Sequence, residues 1–341
     1  MYEGAMLDIR PAPRLATAPL DHGGDLAAGR ARYPQAPQPW IDLSTGINPH
    51  AYPVGVLPDE CFARLPEPAR LRELEAAAAR AYGAEPCNVV AAPGAQTLIN
   101  LLPRLLPGQR VGILGPTYEE HEASWRRAGR EVRACGSLDE LVACDIGVIV
   151  NPNNPTGRIV PRENLLALAQ RLPLVVDESF ADFSSQASIA DAAASGGAIV
   201  LRSFGKTYGL AGVRLGFAIA PRDIAEAARA EFGPWPVSGA AIEIGCRAFG
   251  DDRWFRDARD KVAAGAARLD ELLMKSDFSI VGGTTLFRLA AHEDAQGIAD
   301  RLAQAGIHVR RFAYRPGWLR FRLPQDDAWT RLEQALREGA R

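Results

Sequence analysis

Short apolar runs, mostly four or five residues long, recur along the first two thirds of the chain, each bounded by Gly, Pro, Asn or Asp. The apolar residues in these runs are continuous rather than alternating with polar ones, which is typical of strands buried on both faces of a parallel sheet. Most of these runs are separated by enough chain for a helix, so the pattern predicts an α/β fold with helices on both sides of the sheet. The predicted strands are Val89 to Ala92, Val111 to Leu114, Ile146 to Val150, Leu174 to Val176, Ile199 to Leu201 and Phe217 to Ala220.

The flanking regions have a different pattern. Residues 1–40 are rich in Pro, Gly and Ala and predict an extended arm with little packed structure. Apolar residues at helical spacing predict a helix over 69–82 that Gly83 ends. After about 235 the chain predicts a long helical region (238–275), an apolar segment (278–289), a helix (293–305), an arginine-rich β-like stretch (307–323) and a final helix. We therefore predict an arm over 1–50 that contributes to the active site and the small domain, a large domain over 51–235 with a mostly parallel sheet, and a smaller α+β domain over 236–341.

Composition narrows the class of protein. The 341 residues are 47% hydrophobic and 23% charged, and the formal net charge is −2. This balance gives no basic surface for nucleic acid, and no apolar run approaches the roughly 20 residues that span a bilayer. The five cysteines form no C-x-x-C pair and the five histidines no H-E-x-x-H motif, so we predict no metal site and a cytoplasmic location.

Polar residues follow several of the predicted strands, where open α/β sheets bind their ligands. Residues 93–97 (Pro-Gly-Ala-Gln-Thr) lead into a helix, and the free backbone N–H groups of such a helix start suit a phosphate. An ordinary strand-to-helix turn would have the same composition. Residues 151–157 (Asn-Pro-Asn-Asn-Pro-Thr-Gly) contain two Asn-Pro pairs, which fix a loop more tightly than a simple connection requires.

Two further strand ends carry charged residues. Asp177 ends a fully apolar strand and would be a buried carboxylate in need of a partner, although a helix N-cap would also explain it. Lys206 lies in residues 203–214 among Gly, Phe and Tyr, and Arg214 follows eight residues later. An apolar environment of this kind lowers the pKa of an amine and makes it nucleophilic.

Together these motifs resemble the class I and II aminotransferases, a family of fold-type I enzymes that use pyridoxal 5'-phosphate (PLP). The resemblance is clear over residues 50–220 and implies a predicted catalytic set of Lys206, Asp177 and Tyr118. Lys206 would join the cofactor aldehyde and act as acid and base at the substrate Cα. Asp177 would pair with the pyridine nitrogen, and His121 would orient Asp177. Tyr118 would stack on the ring, and Asn154 would bind its 3-oxygen.

The same resemblance implies sites for two anions. The backbone of Ala95 and Gln96, the hydroxyl of Ser203 and the guanidinium of Arg214 would hold the cofactor phosphate. Arg320 would bind the α-carboxylate of the substrate.

Two positions depart from the family pattern. Phe180 stands where a tyrosine usually bonds the 3-oxygen, so that hydrogen bond is lost. Leu65 stands where a tyrosine usually reaches the cofactor phosphate of the partner subunit. The resemblance still implies a homodimer with the active site at the subunit interface.

The arm supplies the clue to the reaction. His22-Gly23-Gly24-Asp25, followed by Asp-Leu-Ser-Thr-Gly-Ile-Asn-Pro at 42–49, resembles the L-threonine-O-3-phosphate decarboxylases of cobalamin biosynthesis. We therefore expect decarboxylation of L-threonine O-3-phosphate to (R)-1-amino-2-propanol O-2-phosphate. The alternatives are a histidinol-phosphate-type or other amino-acid aminotransferase, and a cofactor-binding protein without catalysis. The predicted ligands of this small phosphorylated amino acid are His22, Asn48, Asn154, Arg320 and Arg322, with Arg158 as a further candidate.

Overall fold

The computed structural model describes residues 23–337, which fold around two β-sheets. The strands are β1 (Ile41–Leu43), β2 (Val89–Ala92), β3 (Arg110–Leu114), β4 (Glu131–Cys135), β5 (Ile146–Val150), β6 (Leu174–Asp177), β7 (Ala198–Ser203), β8 (Gly216–Ile219), β9 (Ser279–Thr284), β10 (Phe287–Ala291), β11 (Ile307–Arg311) and β12 (Trp318–Arg322). The helices are α1 (Leu26–Arg32), α2 (Glu60–Ala63), α3 (Pro68–Tyr82), α4 (Ala95–Leu105), α5 (Glu119–Arg127), α6 (Leu138–Leu141), α7 (Arg162–Ala169), α8 (Phe204–Thr207), α9 (Arg222–Phe232), α10 (Gly239–Phe249), α11 (Asp252–Met274), α12 (Ala295–Gln304) and α13 (Trp329–Arg337).

The larger sheet has the strand order β2-β8-β7-β6-β5-β3-β4. Its neighbouring strands are parallel except that β8 runs antiparallel to both β2 and β7. The central strands β5 and β6 are buried at every residue, as expected for strands covered on both faces. The predicted α/β fold with a mostly parallel sheet is therefore confirmed.

One strand of this sheet, β4, was not predicted. It lies at the edge of the sheet, and its sequence Glu-Val-Arg-Ala-Cys is exposed or half-buried except at Cys135. An edge strand is not covered on both faces, so it carries no continuous apolar run.

The smaller sheet has the order β1-β11-β12-β10-β9 and is antiparallel apart from the parallel β1–β11 pair. The predicted apolar segment 278–289 forms the hairpin of β9 and β10. The arginine-rich stretch forms β11 and β12, and the predicted helical region 238–275 is divided into α10 and α11, with Asp251 capping α11 through the Trp254 N–H at 2.9 Å.

The arm differs from its prediction as an extended segment. Residues 26–32 form α1, because the carboxylate of Asp25 accepts hydrogen bonds from the first backbone N–H groups of the helix. Tyr33 donates to Asp300, and Trp40 is buried against Ala36 and Ala303. Part of the arm is therefore packed against the helix α12 beside the small sheet.

The division into 1–50, 51–235 and 236–341 stays a prediction, but packing suggests a refinement at its second boundary. Ile242 and Ile244 of α10 lie in the same apolar cluster as Leu74 of α3, on the large sheet. Val262 and Leu269 of α11 lie in the cluster of the small sheet. We therefore propose that the small domain begins within α11.

Candidate active site

A cavity of about 250 Å³ lies at the carboxyl ends of β5, β6 and β7, where parallel strands leave their loops on one edge of the sheet. It brings together most of the predicted site residues. Those that line it are Ala95, Gln96, Tyr118, Asn154, Asp177, Ser203, Lys206, Arg214 and Arg320.

Lys206 enters the cavity from the short helix α8, directly after β7. Burial, and next the positive charge of Arg320, lower its pKa from 10.5 to about 8, although the Asp177 carboxylate opposes this shift. Its Nζ lies 5.2 Å from the centroid of the Phe180 ring, so the amine rests on an apolar surface. About a tenth of the amine is therefore uncharged at pH 7, far more than for a lysine with the ordinary pKa, and the neutral form is the nucleophile.

Asp177 lies at the end of β6 and is buried. His121 Nε2 lies 3.0 Å from one carboxylate oxygen, and the other oxygen accepts hydrogen bonds from the backbone and hydroxyl of Ser179. Burial alone would raise the pKa of Asp177, but the hydrogen bonds of His121 and Ser179 lower it overall. The site therefore presents a fixed carboxylate to any positively charged group in the cavity.

The turn between β2 and α4 forms a cradle for an anion. Gly94 has φ +86° and ψ 155°, and a Cβ added there would lie 2.8 Å from Nη2 of Arg214. A Cβ added to Gly216 would lie 2.4 Å from the backbone nitrogen of Ala95. The first N–H groups of α4 have no acceptor within the helix, so together with Arg214 they form a compact set of phosphate donors.

Tyr118 caps the start of α5 and lines the cavity wall beside this cradle. Its hydroxyl donates to Oε1 of Gln96 at 3.0 Å, and Nε2 of Gln96 donates to Glu120 at 3.0 Å. Burial raises the pKa of Tyr118 to about 12, so the hydroxyl stays neutral and remains the donor to Gln96.

Arg320 lies on the opposite wall, on β12, and is buried. It donates to Oδ1 of Asn154 and, at 2.7 Å, to the carbonyl of Ser44. Among the described residues its Nε and the hydroxyl of Thr45, which also lines the cavity, have no partner. Buried donors of this kind are costly unless a polar ligand satisfies them.

The structure also brings in residues that the sequence did not indicate. Arg310 of β11 lines the cavity together with Phe312, Tyr314, Thr45 and Thr117. Arg310 is the direct cross-strand partner of Arg320 in the antiparallel β11–β12 pair. The alternation of apolar and polar residues along 307–312 could have indicated which side chains of β11 share a face. Which residue of β12 lies opposite Arg310 depends on the pairing of the two strands, and a single sequence does not reveal it.

Three predicted substrate ligands are not brought to the cavity. Asn48 donates to the carbonyl of Thr207 at 2.8 Å and accepts from the N–H of His50, and Arg322 donates to the carbonyl of Ile47 at 2.6 Å. Both side chains use their polar atoms on the backbone and do not line the cavity, so we correct their role to support of neighbouring segments. Arg158 is exposed and likewise lies outside the lining. The prediction for His22 lies outside the described residues.

The described residues contain no helix long and apolar enough to cross a membrane. Within residues 23–337 there is also no group of three His, Cys, Asp or Glu side chains placed to hold a metal ion. The donors of the cavity instead fit PLP. The cradle of α4 and Arg214 matches its phosphate, Asp177 its ring nitrogen, and Lys206 its aldehyde.

Comparison with known proteins agrees with this fit. The family model of the class I and II aminotransferases matches residues 40–336. A threonine-phosphate decarboxylase of Pseudomonas aeruginosa is 41% identical over 326 residues, covering 93% of this chain and 97% of that protein. A second threonine-phosphate decarboxylase, from a Sinorhizobium species, is 40% identical and covers 92% of this chain and 96% of the relative.

Among solved structures, the histidinol-phosphate aminotransferase of Sinorhizobium meliloti in complex with PLP superposes with a TM-score of 0.81 at 23% identity, over 98% of each chain. This likeness concerns the fold. From the cavity, the family match and the two relatives, we conclude that the chain belongs to the PLP-dependent class I and II aminotransferase family and, within it, to the threonine-phosphate decarboxylases.

Proposed function

We propose that this protein decarboxylates L-threonine O-3-phosphate to (R)-1-amino-2-propanol O-2-phosphate, a step of cobalamin biosynthesis. The observation that carries the proposal is the direct pairing of Arg310 with Arg320 across β11 and β12. Like charges opposite each other in a sheet are destabilising. Two anionic groups on one substrate, a carboxylate and a phosphate, match this pair of cations in the cavity, and Arg214 would remain for the cofactor phosphate.

PLP supplies an aldehyde that condenses with an amine and a conjugated ring that accepts the electron pair released when a bond to Cα breaks. Asp177 and His121 are placed to keep a proton on the ring nitrogen, and the α4 cradle with Arg214 to anchor the phosphate. Arg320 would bind the substrate carboxylate, and Arg310 would hold its phosphate.

Lys206 is the group placed to move protons at the substrate Cα. Near neutral pH its amine exists in both protonation states because its pKa is about 8. It can therefore return a proton to Cα after CO₂ has left. The Phe180 ring gives the amine an apolar neighbour at this position.

The decisive assay incubates the purified holoprotein with L-threonine O-3-phosphate and measures CO₂ and aminopropanol phosphate. We expect both products in equal amounts without any 2-oxo acid. Transfer of the amino group to 2-oxoglutarate without CO₂ would instead identify an aminotransferase of the histidinol-phosphate type. A bound cofactor that responds to no amino acid would indicate a protein without catalysis.

The substitution Arg310→Gln tests the substrate phosphate site. We expect it to raise KM for threonine phosphate by ten- to a hundredfold, because a charge-assisted hydrogen bond contributes about 1.5–3 kcal/mol. The weak binding of unphosphorylated L-threonine should not change. The exposed Arg315 provides the matched control, since Arg315→Gln removes the same charge outside the lining of the cavity. An equal loss for both substrates would argue against a phosphate contact.

We also propose a homodimer. Val56, Phe62, Leu65 and Trp235 are 90, 71, 65 and 52% exposed. They belong to segments that lie along α10: a Cβ on Gly239, at the start of the helix, would lie 2.6 Å from the carbonyl oxygen of Cys61, and Arg247, in its last turn, donates to the carbonyl of Val56 at 3.0 Å. Apolar side chains grouped on a surface are typical of an interface between subunits. A cytoplasmic location stays a prediction of the sequence.

A further inference from the structure

A cluster of charged side chains is buried next to the cavity without lining it. Arg202 forms ion pairs with Glu178 at 2.9 Å and with Asp182 at 2.6 Å, and all three side chains are at most 7% exposed. Ser188 donates to Glu178 at 2.6 Å and accepts from Arg202 at 2.7 Å. We call Arg202, Glu178, Asp182 and Ser188 the buried ion cluster.

The cluster is attached to β6, which carries Asp177, and to β7, which leads into the helix that carries Lys206. Asp177 pairs with Leu201 in the parallel β6–β7 ladder, and the N–H of Glu178 continues the ladder by donating to the carbonyl of Leu201 at 2.9 Å. Successive side chains of a strand point to opposite faces. Asp177 and Ser203 therefore face the cavity, while their neighbours in sequence, Glu178 and Arg202, face the cluster.

The cluster also reaches the helix that carries Lys206. One oxygen of Asp182 binds Arg202, and the other accepts a hydrogen bond from the hydroxyl of Thr207. Thr207 is the immediate neighbour of Lys206 in α8, is 1% exposed and does not line the cavity. A single carboxylate thus connects α8 to the end of β7.

Stability alone gives a weak reason for this arrangement. Buried charges lose their hydration, and well-packed apolar side chains can often replace a buried ion pair without loss of stability. In the described part of the chain, moreover, Nε of Arg202 and the hydroxyl of Tyr82, whose ring lies 4.7 Å from the guanidinium, have no partner. What such a cluster does provide is a fixed geometry, because each ion pair and hydrogen bond has a set direction.

We propose that Thr207 and Asp182 are positioning residues that fix α8 on the buried ion cluster and thereby set where the Lys206 amine stands relative to Asp177. They act through geometry rather than through their charge. The charged groups that most affect the amine are Arg320, Asp177, Arg214 and Arg322, and none of these belongs to the cluster.

The test compares Thr207→Val, which removes the hydroxyl at nearly constant volume, with Thr207→Ser, which keeps it. The first readout is the visible circular dichroism of PLP bound to each holoprotein, normalised to bound cofactor, since it reports the orientation of the ring. The second is kcat and KM for threonine phosphate, which rests on the proposed function. The dichroism needs no substrate, so it tests the positioning role even if the reaction is a different one.

We expect Thr207→Val to change the dichroism and to lower kcat on the order of tenfold with little change in KM, because small displacements of reacting groups are costly. Thr207→Ser should restore both values. Asp182→Asn, which weakens the same connection from its other end, should reproduce the effect of Thr207→Val.

A lower melting temperature with unchanged dichroism and unchanged kcat per bound cofactor would show a purely structural role and overturn the proposal. The same holds if Thr207→Val and Asp182→Asn both fail to fold while Thr207→Ser folds. If only Thr207→Val fails to fold, the dichroism and kcat of Asp182→Asn test the proposal in its place.

Discussion

At the scale of single residues, Lys206 shows how burial and neighbouring charge prepare a side chain for chemistry. An exposed lysine is almost fully protonated at neutral pH and is a poor nucleophile. Burial and Arg320 lower the pKa of Lys206 to about 8, while Asp177 prevents a larger shift. The same cation that would bind the substrate carboxylate thus also activates the amine.

This shift predicts the pH dependence of cofactor capture. Only the neutral amine attacks an aldehyde, so the rate at which the apoprotein captures PLP should rise through pH 8 and level off above pH 9. Stopped-flow absorbance between pH 6 and 10 measures this rate. A lysine with an ordinary pKa would give a rate that keeps rising about tenfold per pH unit through pH 9. Lys206→Ala is the control, since borohydride reduction followed by mass spectrometry should find no adduct at that position.

The contribution of Arg320 can be separated from that of burial. Removing its charge in Arg320→Gln should move the midpoint of the capture profile to higher pH, because a nearby cation disfavours the protonated amine. Arg315→Gln removes an exposed charge and should leave the midpoint unchanged. Identical midpoints in both variants would mean that the charge of Arg320 does not contribute to the low pKa of Lys206.

At the scale of elements, the turn from β2 into α4 decides how tightly the cofactor phosphate is held. Gly94 adopts a backbone conformation that is essentially restricted to glycine, and Nη2 of Arg214 lies only 2.8 Å from the place that a Cβ at Gly94 would take. The turn therefore combines the start of a helix with a cation that can approach the backbone closely.

Gly94→Ala should weaken PLP binding by at least tenfold and destabilise the fold by about 1–3 kcal/mol, through backbone strain and displacement of Arg214. Equilibrium titration of the apoprotein with PLP and urea unfolding measure the two effects. Gly212→Ala is the matched control, because a Cβ at Gly212 would meet no atom within 4 Å. Unchanged PLP affinity in Gly94→Ala would contradict the role of this turn in binding the phosphate.

The elements also show what the sequence could and could not predict. Continuous apolar runs located the buried strands β2, β3 and β5 to β8, and the polar residues after them led to Lys206 and Asp177. The edge strand β4 has no such run. Arg310 was missed because its place in the cavity depends on the register between β11 and β12, which is a long-range property. Arg322 was predicted as a substrate ligand because a sequence does not show that its guanidinium donates to the backbone carbonyl of Ile47.

At the scale of the whole molecule, the exposed apolar side chains of Val56, Phe62, Leu65 and Trp235, on segments beside α10, predict association. Phe62→Glu should convert a dimer to a monomer, because a buried unpaired carboxylate is unfavourable in an apolar interface. Light scattering during size-exclusion chromatography at micromolar concentration measures the mass. Met274 at the end of α11 is 55% exposed, and Met274→Glu serves as the control. A wild-type protein with the mass of a single chain would refute the proposed dimer.

Because β1 pairs with β11, the small sheet joins the beginning of the described chain to a strand that is synthesised close to its end. A ribosome translates every strand of the large sheet before it reaches β11 and β12. A nascent chain that ends after α10 contains Lys206 and Asp177 but neither Arg310 nor Arg320. The carbonyl of Ser44 therefore still lacks the hydrogen bond that Arg320 donates to it in the folded protein. The strands that carry the predicted cofactor ligands are thus made first, and we expect a chain still lacking β11 and β12 to bind the cofactor without turning over the substrate.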